Sequence, residues 1–395
     1  MRLLFVAPYV PSPIRVRTYQ LLRHLARTGC RITLVALEDS PITEGLREEL
    51  ESYCDAIHLI PLPKRAAQLR CLRALPTPKP LWVAYCESPL FFKTVVGVAS
   101  KEHFDVAHVE HLRAAWIRPA LGDLPTVLDA VDCITALQRQ MFEQGDTLPH
   151  RLLAWVEWSK LRRWEARAYA PYDRLTVTSA YDAEALRTLG VPQQPEIIPN
   201  GVDLDYFQPR PLCTPEPQTL IFSGKMSYRA NDDAALWFAS ELWPRLKEQC
   251  PGARWLIVGS EPTEAVRRLA RDPAIQVTGY VDDLRPYLSR ASLAICPLRI
   301  GVGIQNKALE AMAMGCPVVA SPVAGRALQA ATQEGGITIA KRDGEFIQAC
   351  CELLREPAHA RAAGAAARRY VERHHQWECT ADRFLDLYDN AKIAA

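Results

Sequence analysis

The sequence has almost no excess of charge of one sign. Its 47 basic and 45 acidic side chains leave a formal net charge of +2 over 395 residues. Nucleic-acid binding relies on a strong positive field, so this balance excludes nucleic acid as an expected partner. The chain lacks an apolar run of about 18 residues that could span a membrane, and the run after Met1 is too short for a secretory signal. We therefore expect a cytoplasmic protein.

The sequence also lacks the residue spacing that is typical of metal-binding sites. The 12 cysteines are scattered without a C-x-x-C pair, which is typical of reduced thiols in a core. His108 and His111 lie at the end of a predicted strand, where polar side chains are common, and no third ligand is close to them in sequence. We therefore expect no metal site.

Short apolar runs alternate with amphipathic segments along the whole chain, which is too long for one ordinary core. In the first half, the predicted strands are residues 3–7, 32–36, 56–60, 106–109, 126–128 and 175–178. In the second half, they are residues 219–222, 255–258, 275–277, 293–296, 318–320 and 337–339, and the chain from residue 345 on is predicted to be helical. The pattern predicts an α/β protein with two doubly wound parallel-sheet domains.

The predicted boundary between the domains follows residue 205. Turn residues at 199–203 precede a segment, 208–217, that contains four prolines and is typical of a linker. The predicted domains are therefore 1–205 and 206–375, followed by a last segment, 376–395.

Ligands of doubly wound folds bind at the carboxyl ends of the strands, and phosphates favour helix N-termini. At the first such junction, a proline-rich loop carries Arg15 and Arg17. They could be solvated or could contact phosphate. The loop lacks the G-x-G-x-x-G glycines of dinucleotide-binding folds, which argues against a dehydrogenase.

The second junction contains Gly224 and Lys225. Glycine allows close approach of the backbone to a diphosphate and lysine supplies charge, although a solvated lysine is the alternative.

The third junction, 297–320, has two glycines in a loop and then a helix with Lys307 and Glu310 on one face. A carboxylate can accept hydrogen bonds from both ribose hydroxyls, while Lys307 and the loop amides meet phosphate. A surface salt bridge between Lys307 and Glu310 is the alternative, and spacing alone leaves both open.

Residues 310–320 match the pattern E-A-M-A-x-G-x-P-V-V-A at every fixed position, and segments at 177–179, 198–203, 223–225 and 377–378 follow in matching order. In these features the chain resembles the retaining glycosyltransferases of family 4, which have the GT-B fold. Through residues 21–26, 129–132 and 299–307 it more narrowly resembles the sugar transferases of bacterial PEP-CTERM and exosortase exopolysaccharide systems.

The resemblance implies two Rossmann-like domains facing a cleft, with 1–205 on the acceptor side, 206–375 binding the nucleotide sugar and 376–395 packing back on the first domain. It implies no metal or other cofactor. It assigns the ribose hydroxyls to Glu310 and the diphosphate to Lys225. The expected donor-binding residues are Gly224, Lys225, Arg229, Gly303, Ile304, Gln305, Lys307 and Glu310. The expected catalytic residues are Asp132 and Lys225, with Arg15 and Arg17 on the acceptor or phosphate side.

Three positions depart from the family pattern. Val302 replaces a glutamate that holds the donor sugar, and Arg229 stands near the place of a second diphosphate-binding lysine. Val131, with Asp132 beside it, replaces a strand-end histidine of many members.

These observations predict a retaining glycosyltransferase of exopolysaccharide or glycoconjugate synthesis, with a nucleotide-diphosphate sugar as donor and a lipid-linked sugar as a candidate acceptor. The alternatives are a nucleotide-sugar epimerase on the same fold and an inactive donor-binding relic, which Val302 suggests. One basic and aromatic cluster has two interpretations. It could belong to a helix that packs within the domain, or it could contact the inner face of the membrane peripherally. It comprises Trp155, Trp158, Lys160, Arg162, Arg163, Trp164 and Arg167.

Overall fold

The structure is a computed structural model that describes residues 1–145, 147–209 and 215–394. It contains two compact units. The N-terminal unit is Met1–Pro199 with Trp377–Ala395, and the C-terminal unit is Asn200–Gln376. Residues 210–214 of the predicted linker lie outside the described residues.

The first unit ends six residues before the predicted boundary at 205. Pairing within the C-terminal unit explains the difference, because Val202 forms a parallel bridge with Gln376 and its amide donates to the His375 carbonyl at 2.8 Å. Residues 200–205 therefore begin the second unit.

The N-terminal unit has a seven-stranded parallel sheet in the order β3-β2-β1-β4-β5-β6-β7. Its strands are β1 (Arg2–Ala7), β2 (Arg31–Glu38), β3 (Ala56–Pro61), β4 (Val106–Glu110), β5 (Thr126–Val131), β6 (Arg174–Val177) and β7 (Glu196–Ile197). Its helices are α1 (Val16–Arg27), α2 (Glu44–Tyr53), α3 (Lys64–Ala74), α4 (Leu81–Cys86), α5 (Pro89–Lys101), α6 (Ile134–Gln144), α7 (Leu148–Tyr169) and α8 (Ala180–Thr188), with a 3-10 helix at Ala115–Leu121.

The C-terminal unit has a six-stranded parallel sheet in the order β10-β9-β8-β11-β12-β13. Its strands are β8 (Thr219–Ser223), β9 (Arg254–Val258), β10 (Ile275–Val277), β11 (Leu293–Cys296), β12 (Val318–Ala320) and β13 (Ile337–Ile339). Its α-helices are α9 (Arg229–Trp237), α10 (Trp243–Gln249), α11 (Glu264–Arg268), α12 (Arg285–Arg290), α13 (Asn306–Ala313), α14 (Pro322–Gly325), α15 (Gln329–Gln333), α16 (Asp343–Arg355) and α17 (Pro357–His374). Shorter turns are a π-helix at Phe238–Leu242 and 3-10 helices at Leu269–Arg271 and Arg326–Leu328.

The last helix, α18 (Trp377–Ala394), belongs to the N-terminal unit. Its apolar side chains Trp377, Phe384 and Leu387 are buried with Leu21 and Leu25 of α1 in one hydrophobic core. Hydrophobic burial thus attaches the end of the chain to the first domain. No described helix has both the length and the apolar character that a membrane span requires.

Each sheet is parallel and covered by helices, so both faces of a central strand are buried. Residues Leu3 to Ala7 of β1, for example, are entirely buried. The predicted fold class, two Rossmann-like parallel-sheet domains, is confirmed. In each sheet the strand order reverses once, between β1 and β4 and between β8 and β11. Ligands of such sheets bind at the carboxyl ends of the strands at these switch points.

Candidate functional site

The loop that follows β8 is held against the loop that follows β9. The Gly224 amide donates to the Val258 carbonyl at 3.0 Å, and the Met226 amide donates to the Ser260 carbonyl at 2.8 Å. Gly224 and Gly259 both have a φ of +145°, and a Cβ on Gly259 would lie 1.9 Å from the Gly224 carbonyl oxygen. Only glycine fits there, so Gly259 supports this loop, a role that was not predicted from the sequence.

Lys225 is exposed on this loop, and its Nζ lies 3.0 Å from Oε2 of the exposed Glu261. Ser227 also donates to that carboxylate, and these contacts lower the pKa of Glu261. An exposed ion pair contributes little stability, so Lys225 can exchange this partner for a ligand at small cost. Arg229 is the half-buried first residue of α9.

Lys307 lies on α13 and reaches the same loop. Its ammonium donates to Oδ1 of the buried Asn231 and lies 4.6 Å from the centroid of the Phe222 ring. The Asn231 amide in turn donates to the Lys225 carbonyl at 2.9 Å. Burial lowers the pKa of Lys307 to about 8. Asn231 therefore joins two predicted site residues, a role that its place in the sequence does not reveal.

The carboxylate of Glu310 lies one helical turn after Lys307. Among the described residues, no hydrogen-bond donor or cation partner contacts it within the distances that define such bonds. The predicted alternative, a Lys307–Glu310 salt bridge, is therefore not observed. Burial raises the pKa of Glu310 to about 7, and the nearby charge of Lys307 opposes that rise. A partly buried carboxylate without a donor is a site where ligand hydroxyls can bind.

The start of α13 offers backbone donors. Gln305 precedes the helix without capping it, since its side chain donates to the Val302 carbonyl at 3.2 Å. Gly303, with a φ of +65°, and the buried Ile304 form the turn into the helix. Uncapped N–H groups of a first helical turn are suited to phosphate.

The residue in place of the family glutamate is apolar and buried. Val302 is 8% exposed, so it offers no acceptor for a sugar hydroxyl. The Asn200 side chain donates to Oδ1 of Asn306 at 2.8 Å, which ties the start of the unit to the first residue of α13.

In the N-terminal unit, Asp132 follows the carboxyl end of β5. It accepts a hydrogen bond from the Thr178 hydroxyl at 3.1 Å. Burial, together with the charge of Asp182, raises the pKa of Asp132. Val131 has a φ of +66° and lies at a register shift between β5 and β6. A non-glycine residue in this backbone region is strained, and such strain clusters at functional sites.

The two arginines of the first junction have different environments. Arg15 is exposed and its guanidinium lies 4.5 Å above the ring of Tyr9. Arg17 is only 5% exposed and forms a two-pronged pair with Asp129, at 2.6 Å and 3.1 Å. The Arg17 guanidinium is therefore held by a buried carboxylate, and its contact with a phosphate or the acceptor stays a prediction.

The two histidines considered for metal binding also differ. His108 is fully buried and its Nδ1 lies 2.7 Å from the Tyr388 hydroxyl. His111 is partly exposed at the carboxyl end of β4. In the part of the chain that the structure describes, no three His, Cys, Asp or Glu side chains form a metal-binding group.

Two family models match the chain. Residues 14–206 match the model described as Glycosyltransferase Family 4, and residues 217–356 match the model described as Glycosyl transferases group 1. The first match covers mainly the N-terminal unit, and the second lies within the C-terminal unit. The glycine and lysine loop after β8 and the helix α13 both fall within the second match.

Relatives of this chain are also named as glycosyltransferases. A GDP-mannose-dependent alpha-(1-6)-phosphatidylinositol monomannoside mannosyltransferase of Mycobacterium tuberculosis is 27% identical over 54% of this chain and 61% of its own length. A D-inositol 3-phosphate glycosyltransferase of Mycobacteroides abscessus is 28% identical over 71% of this chain and 63% of its own. The matches thus span about three fifths of the length of these relatives.

Solved structures share the fold over nearly the whole chain. Sucrose-phosphate synthase of Thermosynechococcus elongatus superposes with a TM-score of 0.71 at 19% identity and covers 100% of both chains. Anabaena HepE in complex with UDP-glucose has a TM-score of 0.69 at 13% identity and covers 99% of this chain and 100% of its own. By its two matched domains and its GT-B fold, the chain belongs to the family 4-type glycosyltransferases.

Proposed function

We propose that this protein transfers a sugar, with retention of configuration, from a nucleotide-diphosphate donor to an acceptor. The observation that carries the proposal is the unpartnered carboxylate of Glu310 on the same helix face as Lys307. In the proposal, Glu310 accepts the two ribose hydroxyls, and Lys307 and the first amides of α13 bind the diphosphate.

The same groups favour departure of the nucleotide. Negative charge develops on the diphosphate as the bond to the sugar breaks, and fixed positive groups that already point there stabilise it. Lys225, exposed on the loop beside Gly224, supplies one such charge. Asp132 is the proposed carboxyl group on the acceptor side. The proposal includes no resident metal or other cofactor, and activity that survives dialysis against EDTA tests that part.

The names of relatives and structural neighbours suggest substrates without deciding among them. GDP-mannose and phosphatidylinositol monomannoside appear in the name of one relative, and UDP-glucose is bound in a structural neighbour. A lipid-linked acceptor in exopolysaccharide or glycoconjugate synthesis is the acceptor class that we propose.

An exposed apolar and basic face in the N-terminal unit supports a role at the inner face of the membrane. On α7, the exposed apolar residues are Leu148, Leu152, Leu153 and Trp155, at 79%, 59%, 53% and 47% exposure. The two acidic residues of α7, Glu157 and Glu165, are buried instead. The exposed charges of α7 are therefore all basic: Arg151, Arg162, Arg163 and Arg167.

Helix α3 extends this face. Its end is bonded to α7, because the Lys160 ammonium donates to the carbonyls of Ala74 and Leu75 at 2.8 and 3.0 Å. Residues 64–74 contain no acidic side chain, and Leu69 and Leu72 are exposed. Exposed apolar side chains on helices whose own exposed charges are basic suit the surface of an anionic bilayer.

Vesicle sedimentation tests the membrane contact. Vesicles with phosphatidylglycerol should bind the protein, and neutral phosphatidylcholine vesicles should not. A Leu152→Ser, Trp155→Ser variant should lose binding, while Leu90→Ser, an exposed leucine on α5, should retain it. Equal binding by both variants would remove the α3–α7 face from the proposal.

A panel of UDP-, GDP- and dTDP-sugars tests the transfer itself. The true donor should raise the melting temperature, because a ligand at about 100 times its dissociation constant adds about 2.7 kcal/mol of stability. The product of transfer should keep the anomeric configuration of the donor by NMR. Release of an epimerised donor without acceptor would indicate the epimerase, and binding without any turnover would indicate the relic.

A further inference from the structure

The switch point of the N-terminal sheet carries a second group of polar and aromatic side chains. Tyr9 follows β1, and His111 follows β4, the neighbouring strand at which the strand order reverses. His111 has a φ of +67°, an unfavourable backbone conformation for a residue other than glycine. Its position at the carboxyl end of a central strand is where ligands of this fold bind.

The His111 ring is fixed between two aromatic rings. It stacks with Trp82 at a centroid distance of 6.3 Å and meets the edge of Tyr9 at 6.5 Å. Its Nδ1 accepts a hydrogen bond from the Arg113 amide at 3.2 Å. Burial, with the charges of Arg113 and Arg15, holds the pKa of His111 well below its usual value. The neutral ring therefore carries its proton on Nε2 and can donate it to a ligand.

Two guanidinium groups flank this row of rings. Arg15 lies 4.5 Å above the Tyr9 ring, and Arg113 lies 4.4 Å above the Trp82 ring. Within the described ranges, neither has a carboxylate at ion-pair distance, whereas Arg17 beside them is paired with Asp129. Stacking on a ring restricts the rotamers of an arginine, so less entropy is lost when it binds an anion.

The carboxylate of Glu110, which is bonded to Tyr9 of this layer, does not pair directly with these arginines. Glu110 is 1% exposed, and the hydroxyls of Tyr9 and Thr18 donate to its carboxylate. Burial raises the pKa of Glu110 to about 7. The partly exposed layer of Tyr9, Arg15, Trp82, His111 and Arg113 therefore carries positive charge and one neutral donor.

We propose that this layer is the acceptor subsite and that it binds a phosphate ester of the acceptor through Arg15, Arg113 and His111. The inference rests on the proposed glycosyl transfer and gives its acceptor a chemical class. Guanidinium groups bind phosphate oxygens through charge-assisted hydrogen bonds, and a phosphate has several such oxygens to share. The phosphate can belong to a soluble sugar phosphate or to a lipid headgroup.

Ligand-observed NMR titrations with two probes distinguish these sources. Glycerol 3-phosphate represents a soluble phosphomonoester, and dihexanoyl phosphatidylglycerol below its micelle concentration represents a lipid headgroup without a membrane. The wild-type protein should bind one of them and should not bind glycerol. Arg15→Gln and Arg113→Gln should each weaken that binding about tenfold or more, as expected for a lost bond to a charged group.

Arg27→Gln is the matched control, because Arg27 is an exposed arginine at the other end of α1. It should bind both probes like the wild type. The proposal is overturned if neither probe binds, if both subsite variants bind like the wild type, or if Arg27→Gln loses as much affinity as they do.

Donor affinity, measured on the same proteins, separates this inference from the proposed function. Arg15→Gln and Arg113→Gln should bind the nucleotide sugar as the wild type does. A protein that binds the phosphate probe but no nucleotide sugar would contradict the proposed transfer and leave the phosphate site intact. If the protein binds the donor but neither arginine substitution changes its affinity for the phosphate probe, only the proposed subsite is contradicted.

Discussion

Lys307 and Glu310 share one face of α13 without forming an ion pair. The Lys307 ammonium is bonded to Asn231 beside Gly224, and the Glu310 carboxylate has no donor among the residues that the structure describes. Burial shifts the pKa of the two groups in opposite senses, to about 8 for Lys307 and about 7 for Glu310. A ligand whose hydroxyls donate to Glu310 and whose phosphates accept from Lys307 would therefore stabilise the charged form of both side chains.

Donor affinity should depend on pH with a maximum between about 7 and 8. Binding needs ionised Glu310, whose pKa is about 7, and protonated Lys307, whose pKa is about 8. Affinity should therefore fall by up to about tenfold per pH unit below and above this window. Calorimetry with a nucleotide sugar measures this affinity at each pH. A nucleotide sugar has no phosphomonoester group, which would itself titrate near pH 6.

The two limbs of that profile should respond to different variants. Glu310→Gln should flatten the acid limb, and Lys307→Met should flatten the alkaline limb. A profile that both variants leave unchanged would mean that other groups titrate on donor binding.

Removing the Glu310 carboxylate should stabilise the protein at neutral pH. Between pH 4.5 and about 7, the folded protein keeps a proton that the unfolded chain releases, so stability falls as pH rises through this window. Above pH 7 the ionised carboxylate remains unfavourable. Glu310→Gln should therefore raise the melting temperature at pH 8, and the difference should shrink towards pH 5. An equal effect at both pH values would contradict the raised pKa.

A side chain at Gly259 should disrupt the loop at Gly224. Its Cβ would overlap the Gly224 carbonyl oxygen, so Gly259→Ala should cost about 2–5 kcal/mol of stability and weaken donor binding. Gly279→Ala is the matched control, since Gly279 also has a positive φ, +75°, but nothing within 4 Å of an added Cβ. It should cost about 1–2 kcal/mol in chemical denaturation and leave donor affinity unchanged. Similar losses in both variants would argue against the overlap.

Substitutions of the two arginines at the first junction should differ in their effect on the free energy of unfolding. Arg17→Gln leaves Asp129 buried without its ion-pair partner, which should cost about 3–5 kcal/mol in urea unfolding. Arg15→Gln removes an exposed side chain and should change stability by less than about 0.5 kcal/mol. A small effect of Arg17→Gln would contradict a stabilising role of the buried pair with Asp129.

Local sequence pattern predicted most of the fold. Apolar runs marked both sheets, because buried parallel strands are short and continuously hydrophobic. The edge strand β7 was not predicted, because it consists of only two residues, Glu196 and Ile197, and both are exposed. The placement of Lys307 and Glu310 on one helix face also followed from spacing, because helical periodicity is a local property.

Contacts between distant segments could not be predicted in this way. Arg17 pairs with Asp129 across 112 positions, and Lys307 reaches Asn231 across 76. The approach of Gly259 to the Gly224 carbonyl likewise depends on how β8 and β9 pair. Each of these relationships is fixed by tertiary packing, so neither the pairing of Arg17 with Asp129 nor the roles of Asn231 and Gly259 could be predicted from local pattern.

The proposed function depends most on Glu310 holding the ribose, and a two-by-two calorimetric experiment tests this contact directly. The wild type and Glu310→Gln are each titrated with the donor and with its 2′,3′-dideoxy analogue. Each single change should weaken binding about ten- to hundredfold, because each deletes hydrogen bonds to a charged group. The double change should cost little more than either alone, since both remove the same contact. Additive losses, or an unchanged donor affinity in Glu310→Gln, would contradict the proposed site.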